Sequence, residues 1–477
     1  MHPISVDYVY RQLIHLCLAL VLVSSSSDAQ DIVASDPPPE VIGDAHPDRD
    51  GLSNVITAGD EKLLSQIQHG CHNYFWNEVG TAKIARDRKK APVSSIAAVG
   101  FQLAALPIAV ERGWVSHDEA EKRGEAVLRR LIARKDNKRF GLYFHYLDLD
   151  TAGKSDSGYE VLVSTVDSAI LFAGAIVAGE YFGGPVKQLA REMTSNANWS
   201  AFTTGHDGEI AMGWRPSDRR NPTGPGEFHS HHWKIASDEE RLVYFLAAGA
   251  AEDHAVAPEQ YYKLKRVVKH HAELPPFVVS PQGALFQHFF SHCWIAYNEL
   301  GPDNPNKFGI TAPRVDWFEN SRRAALTHRR RCKDVSDRLS TLSGDAWGLS
   351  ACVSRDGYLV PHVMPNLVDN DKWGHGTLAT YAAASSIMFT PRESMQALRE
   401  FSTLKVAGNP VLVSPESGGY GLVDSYNVDQ QWICDDWVGI DVGPTMVGIE
   451  NARTGLIWRL FMQSDVAQGA VRRLKLD

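Results

Sequence analysis

The side chains with most chemistry to offer are acids. They are Asp148 and Asp150 in FHYLDLD, Glu160, Asp167, the run Asp238-Glu239-Glu240, Glu319, Asp424, Asp441 and Glu450. Cleaving a glycosidic bond takes a protonated acid at the leaving oxygen and a second carboxylate that activates water or attacks directly. Such pairs come from different segments, so spacing alone does not single them out. Histidines are also plentiful, and the run His229-Ser230-His231-His232 invites a metal reading. However, the chain has no HExxH and no cysteine pair at zinc spacing, so no metal is expected. It also has no GxSxG elbow, Walker loop or strand-linked GxGxxG, which disfavours a cofactor enzyme; no cofactor is expected.

Asp167 sits at the start of the stretch around which the chain is organised. VLVSTVDSAILFAGAIVAGEYF, residues 161–182, reads as one almost wholly apolar helix of about six turns. Gly174, Ala175, Ala178 and Gly179 would let another helix approach closely, as in an inner helix of an all-helical protein. A carboxylate at the entrance of such a helix is either a cap or a reagent.

The elements that must position these acids alternate in character. A helix is expected from about Ala58, then an apolar one from Ser94 to Glu111. Ser116-x-x-Glu119 reads as a capping box opening a charged helix to Arg134. The apolar stretches 161–182, 237–250, 285–297, 376–387 and 440–461 follow. Between them lie the amphipathic or charged stretches 186–199, 258–272, 317–333 and 391–406. There is no fixed-length repeat, so a solenoid is disfavoured. Paired inner and outer helices suggest a closed toroid of two concentric rings, with an ordinary multi-helical bundle as the alternative. The long connections 138–159, 201–234, 301–315, 351–375 and 408–426 are rich in Trp, Tyr, His, Asp and Gly, as functional loops are. The chain's 12 tryptophans and 15 tyrosines fit a cleft that stacks on sugar rings, although core packing claims many of them.

With 477 residues and 44% apolar content, the chain can bury a large core. A net charge of −9 and the lack of a long basic run argue against a nucleic-acid surface. Arg329-Arg330-Arg331 reads as a solvated helix end. Arg11, the apolar run Leu13 to Val23 and Ser27-Asp28-Ala29 read as a signal peptide over residues 1–29, so export to the periplasm or the medium is expected. The run is too short for a stable membrane anchor. The Pro- and Asp-rich segment 30–56 reads as a linker, 57–465 as the catalytic domain and 466–477 as a tail. Loss of Cys17 with the signal leaves five cysteines, so one or two disulfides are possible but no framework.

Many short motifs in one order resemble the glycoamylase-like family, whose members include bacterial endo-β-1,2-glucanases. They include YFWNEVG at Tyr74, SSIAAVGFQLAAL at Ser94, YFHYLD at Tyr143 and VSTVDSAILFAGAIVAGEYF at Val163. MGWRP at Met212, FSHCWIAY at Phe290, WGLSA at Trp347, YGLVDSYN at Tyr420 and GIDVGPTMVGIENARTGLIW at Gly439 continue the series. The resemblance covers roughly Tyr74 to Phe461 and implies an all-α (α/α)6 toroid.

It also implies a general acid at the start of the helix containing VYFLAAGA, matching Glu239. Ser237 and Asp238 replace the family's usual Tyr/Asn neighbours and Glu240 its small apolar residue, so the acid stays open between Glu239 and Glu240. Asp441 and Asp424 match acidic positions on the other side of the cleft, and Asp167 matches the acid of the organising helix. Val163 and Ser164 stand where the glucanase branch carries further acids.

The function implied is glucan hydrolysis, in the first place of β-1,2-glucan, by an inverting mechanism. Glu239 would pair with Asp441 or Asp424. Asp167, Glu160, Asp148, Trp214, Trp233, Tyr420 and Trp347 are the expected substrate contacts. The alternatives are a carbohydrate-binding or sensing protein without turnover, and a polysaccharide lyase. A lyase would need a Tyr/His base and neutralisation of a uronate, which the acid-rich set does not favour.

Overall fold

A computed structural model of the chain describes residues 41–42 and 52–476. The expected signal peptide, and most of the expected linker, lie outside the described residues. Thirteen α-helices dominate what is described, and no strand exceeds four residues.

The organising helix runs Thr165–Phe182, with Val163–Ser164 as a strand immediately before it. Ser164 caps it by accepting the Asp167 amide at 3.3 Å. By length and composition this helix could cross a membrane, but it is buried among other helices of the core. It lies against Ile96–Glu111, which Ser95 caps in the same manner. The two backbones touch because both faces carry glycine. A Cβ at Gly174 would lie 1.9 Å from the Gly100 carbonyl oxygen, and one at Gly100 would lie 2.3 Å from that of Ile170.

Apolar helices are followed by amphipathic ones that pack on them. His117–Ala133 opens with the Ser116–Glu119 capping box and packs on Ile96–Glu111. Gly184–Ser195 packs on the organising helix, and Pro391–Thr403 on Thr380–Ser385. Asp238–Gly249 and Gly439–Thr454 complete the apolar set, while Ala58–Asn77 packs on the latter. The charged helix Trp317–Asp334 contacts the turn at Leu285–His288.

Several expected elements differ. The helix expected over 258–272 stops at Lys263. Beyond it Arg266 is drawn into a fork with Asp303, two bonds of 2.8 Å, and Val268–Lys269 pairs with Phe277–Val278. The stretch 285–297 forms two 3-10 turns, Leu285–His288 and Ser291–Cys293, rather than a helix. Its amides are taken elsewhere: Leu285 donates to the Leu349 carbonyl, Phe286 to Ser350 Oγ and Ser291 to Asp238 Oδ2. The helix expected over 376–387 is shortened to Thr380–Ser385, preceded by a strand at Leu378–Ala379. The one expected over 440–461 is broken at Gly455, whose φ of 66° ends Gly439–Thr454 before Leu456–Met462 begins.

The ends are corrected as well. In the expected linker, Val41–Ile42 pairs in parallel with Arg314–Val315, and Ile42 and Leu52 are buried. The expected tail is a helix, Asp465–Leu474, packed on Asp238–Gly249. Arg473 ties it down by donating to the carbonyls of Ala248 (2.7 Å) and Ala250 (2.8 Å). Cys71, Cys293, Cys332, Cys352 and Cys434 are all buried and free, so the described chain has no disulfide.

Candidate active site

Five of the acids sit in first turns of apolar helices, and three of these matter for the cleft: Asp167, Glu239 and Asp441. All three reach one open cavity of about 760 Å³, whose walls also include His145, Trp233 and Tyr381. A helix N-terminus favours an ionised acid by about 0.3–1 kcal/mol at an exposed site. At Glu239 burial outweighs this and raises the carboxyl well above its usual range, with the charges of Glu240, Asp167 and Asp238 adding to the effect. Glu239 therefore keeps its proton where an exposed glutamate would lose it. Its neighbours have other tasks. Glu240 accepts a hydrogen bond from Ser237 Oγ and does not line the cavity, while Asp238 pairs with Arg241 and accepts the Ser291 amide at 3.1 Å. Of the two acids left open by the sequence, the cleft receives Glu239.

Asp441 and Asp424 form the opposite acid group. Both are buried and line one small cavity, each acting on the other's titration. Asp424 Oδ2 accepts the Val353 amide at 2.8 Å and Ser425 Oγ at 3.2 Å. Burial pushes Asp424 up to about 6, against those donors and Asp441. Burial, reinforced by the charge of Asp424, raises Asp441 well above the carboxylate range. Asp441 faces the main cavity; both acids also line a smaller one of about 270 Å³ behind it.

Two groups that sequence reasoning passed over act on the cleft acids, His145 from the cavity wall and Asp87 from outside the lining. His145 Nε2 lies 3.7 Å from Asp167 Oδ1, its ring stacked on Tyr146 at 3.9 Å between centroids. Asp87 is raised to about 6 by burial, opposed by His145 and Arg88 and reinforced by Asp436 and Asp167. His145 stood inside the YFHYLD motif. Asp87 was hidden in the basic run RDRKK, where nothing marks it as buried.

The expected substrate contacts divide. Trp233 lines the cavity, its indole Nε1 donating to Thr165 Oγ1 at 2.8 Å. Tyr420 lies behind the cleft beside Asp424, its hydroxyl given to Glu78 at 2.7 Å. The remaining expectations are corrected. Trp214 is buried beside Phe140, and Trp347 is wholly buried. Glu160 pairs with Arg215 at 2.7 Å, and Asp148 caps its own turn through Thr151 at 2.9 Å. None of the four lines the cavity. Asp150 likewise serves a loop, accepting from Thr81 at 2.9 Å. Glu319 pairs with Arg323, and Glu450 with Arg112 and Gln68, as structural ion pairs and hydrogen bonds. In the HSHH run His229 Nδ1 accepts the His231 amide and His232 bonds Thr204. The group of potential metal ligands among the described residues, His117, Asp118 and Glu121, is on an outer helix.

The chain is similar to known proteins over most of its length. A glycoamylase family model, described as "Putative glucoamylase", matches residues 230–465. A Parabacteroides distasonis protein named exo beta-1,2-glucooligosaccharide sophorohydrolase (non-reducing end) is 26% identical over 456 residues, covering 87% of this chain. The chain spans 58% of that relative's length. A Bacteroides uniformis structure described as a "putative glucoamylase" superposes with a TM-score of 0.75 at 24% identity, covering 88% of this chain and 98% of that one. The endo-beta-1,2-glucanase from Chitinophaga pinensis, in complex with sophorotriose and glucose, gives 0.74 at 21% identity over 88% and 98% of the two chains. These likenesses establish the fold.

Proposed function

Taking as premise that residues 230–465 are of the glycoamylase-like family, we propose that the chain is an exported glycoside hydrolase acting on a glucan, β-1,2-linked in the first place. The helices would close as an (α/α)6 toroid, with apolar helices inside, amphipathic ones outside, and the cleft at the N-terminal ends of the inner ring. One observation carries the reading: a carboxyl that burial keeps protonated, Glu239, shares a cleft with a second acid group, Asp441 backed by Asp424. Glycosidic cleavage needs that division between a proton donor and a water activator.

In the proposed reaction Glu239 gives its proton to the leaving oxygen as the C–O bond breaks. The Asp441 side takes a proton from the attacking water, and Asp167 holds water or a sugar hydroxyl. Attack from the face opposite the leaving group inverts the anomeric centre. Trp233 and Tyr358 offer flat surfaces for sugar rings. The names of the Parabacteroides and Chitinophaga proteins support the β-1,2 linkage. The test is incubation of the purified protein with a panel of glucans, followed by product chromatography. Release of short oligosaccharides from β-1,2-glucan is expected. Cleavage of only another glucan would change the linkage, and no cleavage of any would overturn the hydrolase.

A further inference from the structure

Resting on the hydrolase reading, we propose that Asp424 and Asp441 act as one proton relay, with the buried Asp424, out of the cleft, as the terminal acceptor of the water proton. The geometry is that of two buried carboxyls facing each other. Asp424 Oδ1 and Asp441 Oδ2 are both buried atoms without a protein donor. The other oxygen of Asp424 is fixed by the Val353 amide (2.8 Å) and Ser425 Oγ (3.2 Å). Two buried carboxylates at such contact cannot both be ionised without a large penalty, so one proton lies between them.

The donors decide its resting place. Asp424 has two hydrogen-bond donors that stabilise its anion. Asp441 has one, the Tyr381 hydroxyl, and burial together with the charge of Asp424 outweighs it. The charge rests on Asp424 and the proton on Asp441. Of the groups facing the pair, Asp87 and Asp436 add negative charge, the Tyr381 hydroxyl bonds Asp441, and Cys352 and Cys434 stand neutral beside it.

A protonated Asp441 cannot take a water proton by itself. It can do so if its own proton leaves by the other oxygen. In the step proposed, water's O–H bond breaks and its proton joins Asp441 Oδ1. The proton on Asp441 Oδ2 passes to Asp424 Oδ1, and the charge on Asp424 is neutralised. The hydroxide equivalent bonds the anomeric carbon while Glu239 protonates the leaving oxygen, so no further reactant is needed. Asp441 conveys the proton and Asp424 stores it.

The test uses the isosteric variants Asp424→Asn and Asp441→Asn of the full chain, read in two ways. First, kcat of Asp424→Asn should fall by about 10²–10⁴-fold with little change in KM, because the terminal acceptor is gone. Activity of the wild type should fall as pH drops through about 6, and that limb should shift in the variant. A wild-type rate and pH profile in Asp424→Asn would overturn the relay. Second, the protonated-carboxyl C=O stretch is titrated by infrared spectroscopy through about pH 6 on the free protein. If the pair shares a proton, either variant removes the same titrating component. Two separate components, each lost in only one variant, would overturn the sharing whatever the activity. A wild type inactive on every glucan, yet with the shared component present, would overturn the hydrolase reading and the relay's role in it, leaving the shared proton intact.

Discussion

Replacing Glu239 by Gln should separate catalysis from stability. The substitution keeps the shape of the side chain and removes the proton it can donate. Loss of a positioned general acid costs about 10²–10⁴-fold in rate. Stability should move the other way. Glu239 is raised well above its usual 4.5 by burial, so the folded protein holds this proton at pH values where the unfolded chain has released it. The stability linked to this proton is fully present below about pH 4.5. It is then lost as pH rises toward the folded-state value, by about 1.4 kcal/mol for each unit. A glutamine has no such titration. The variant should therefore match the wild type in acid and equal or exceed it at neutral pH, by about 1–2 °C in melting midpoint per unit for a domain of this size. Initial rates on the cleaved glucan and thermal melts across pH measure both effects. A Glu239→Gln protein that retains its rate, or that melts well below the wild type at neutral pH, would refute the reasoning.

Other consequences are simpler to state. Gly174→Ala forces a methyl against the Gly100 carbonyl oxygen, where it would lie at 1.9 Å, so denaturation should show a loss of about 1–3 kcal/mol or failure to fold. Exported protein should begin near Gln30 on N-terminal sequencing; an intact Met1 on cytoplasmic protein would contradict export. Chelation should leave the hydrolysis rate unchanged, since the cleft acids work by proton transfer. Complete loss, restored by a divalent ion, would contradict that account.

Much of this arrangement was legible in the residues because it depends on local rules. Ser116 with Glu119, the apolar run after Asp167 and the glycines that allow helix contact are written in short stretches, and the corresponding helices formed. What failed was non-local. Nothing near Leu285 announces that its amide will be claimed by Leu349, or that Ser291 will donate to Asp238. Pattern alone gave 258–272 a helical face, but the buried fork of Arg266 on Asp303 decided the path. The same limit governs the site. Glu239, Asp441 and Asp167 could be nominated because helix starts and family motifs mark them, and the fold brings them to one cavity. Trp214 and Trp347 were misassigned because composition does not separate a stacking platform from a core tryptophan. Asp87 escaped because its burial is imposed by distant segments around it, not by the basic residues beside it in sequence.

The measurement that bears most directly on the central claim is proton NMR of the first product released from β-1,2-glucan. The account predicts that the α-anomer appears first and then mutarotates, since water attacks opposite the leaving oxygen while Glu239 protonates it. Initial appearance of the β-anomer would contradict it.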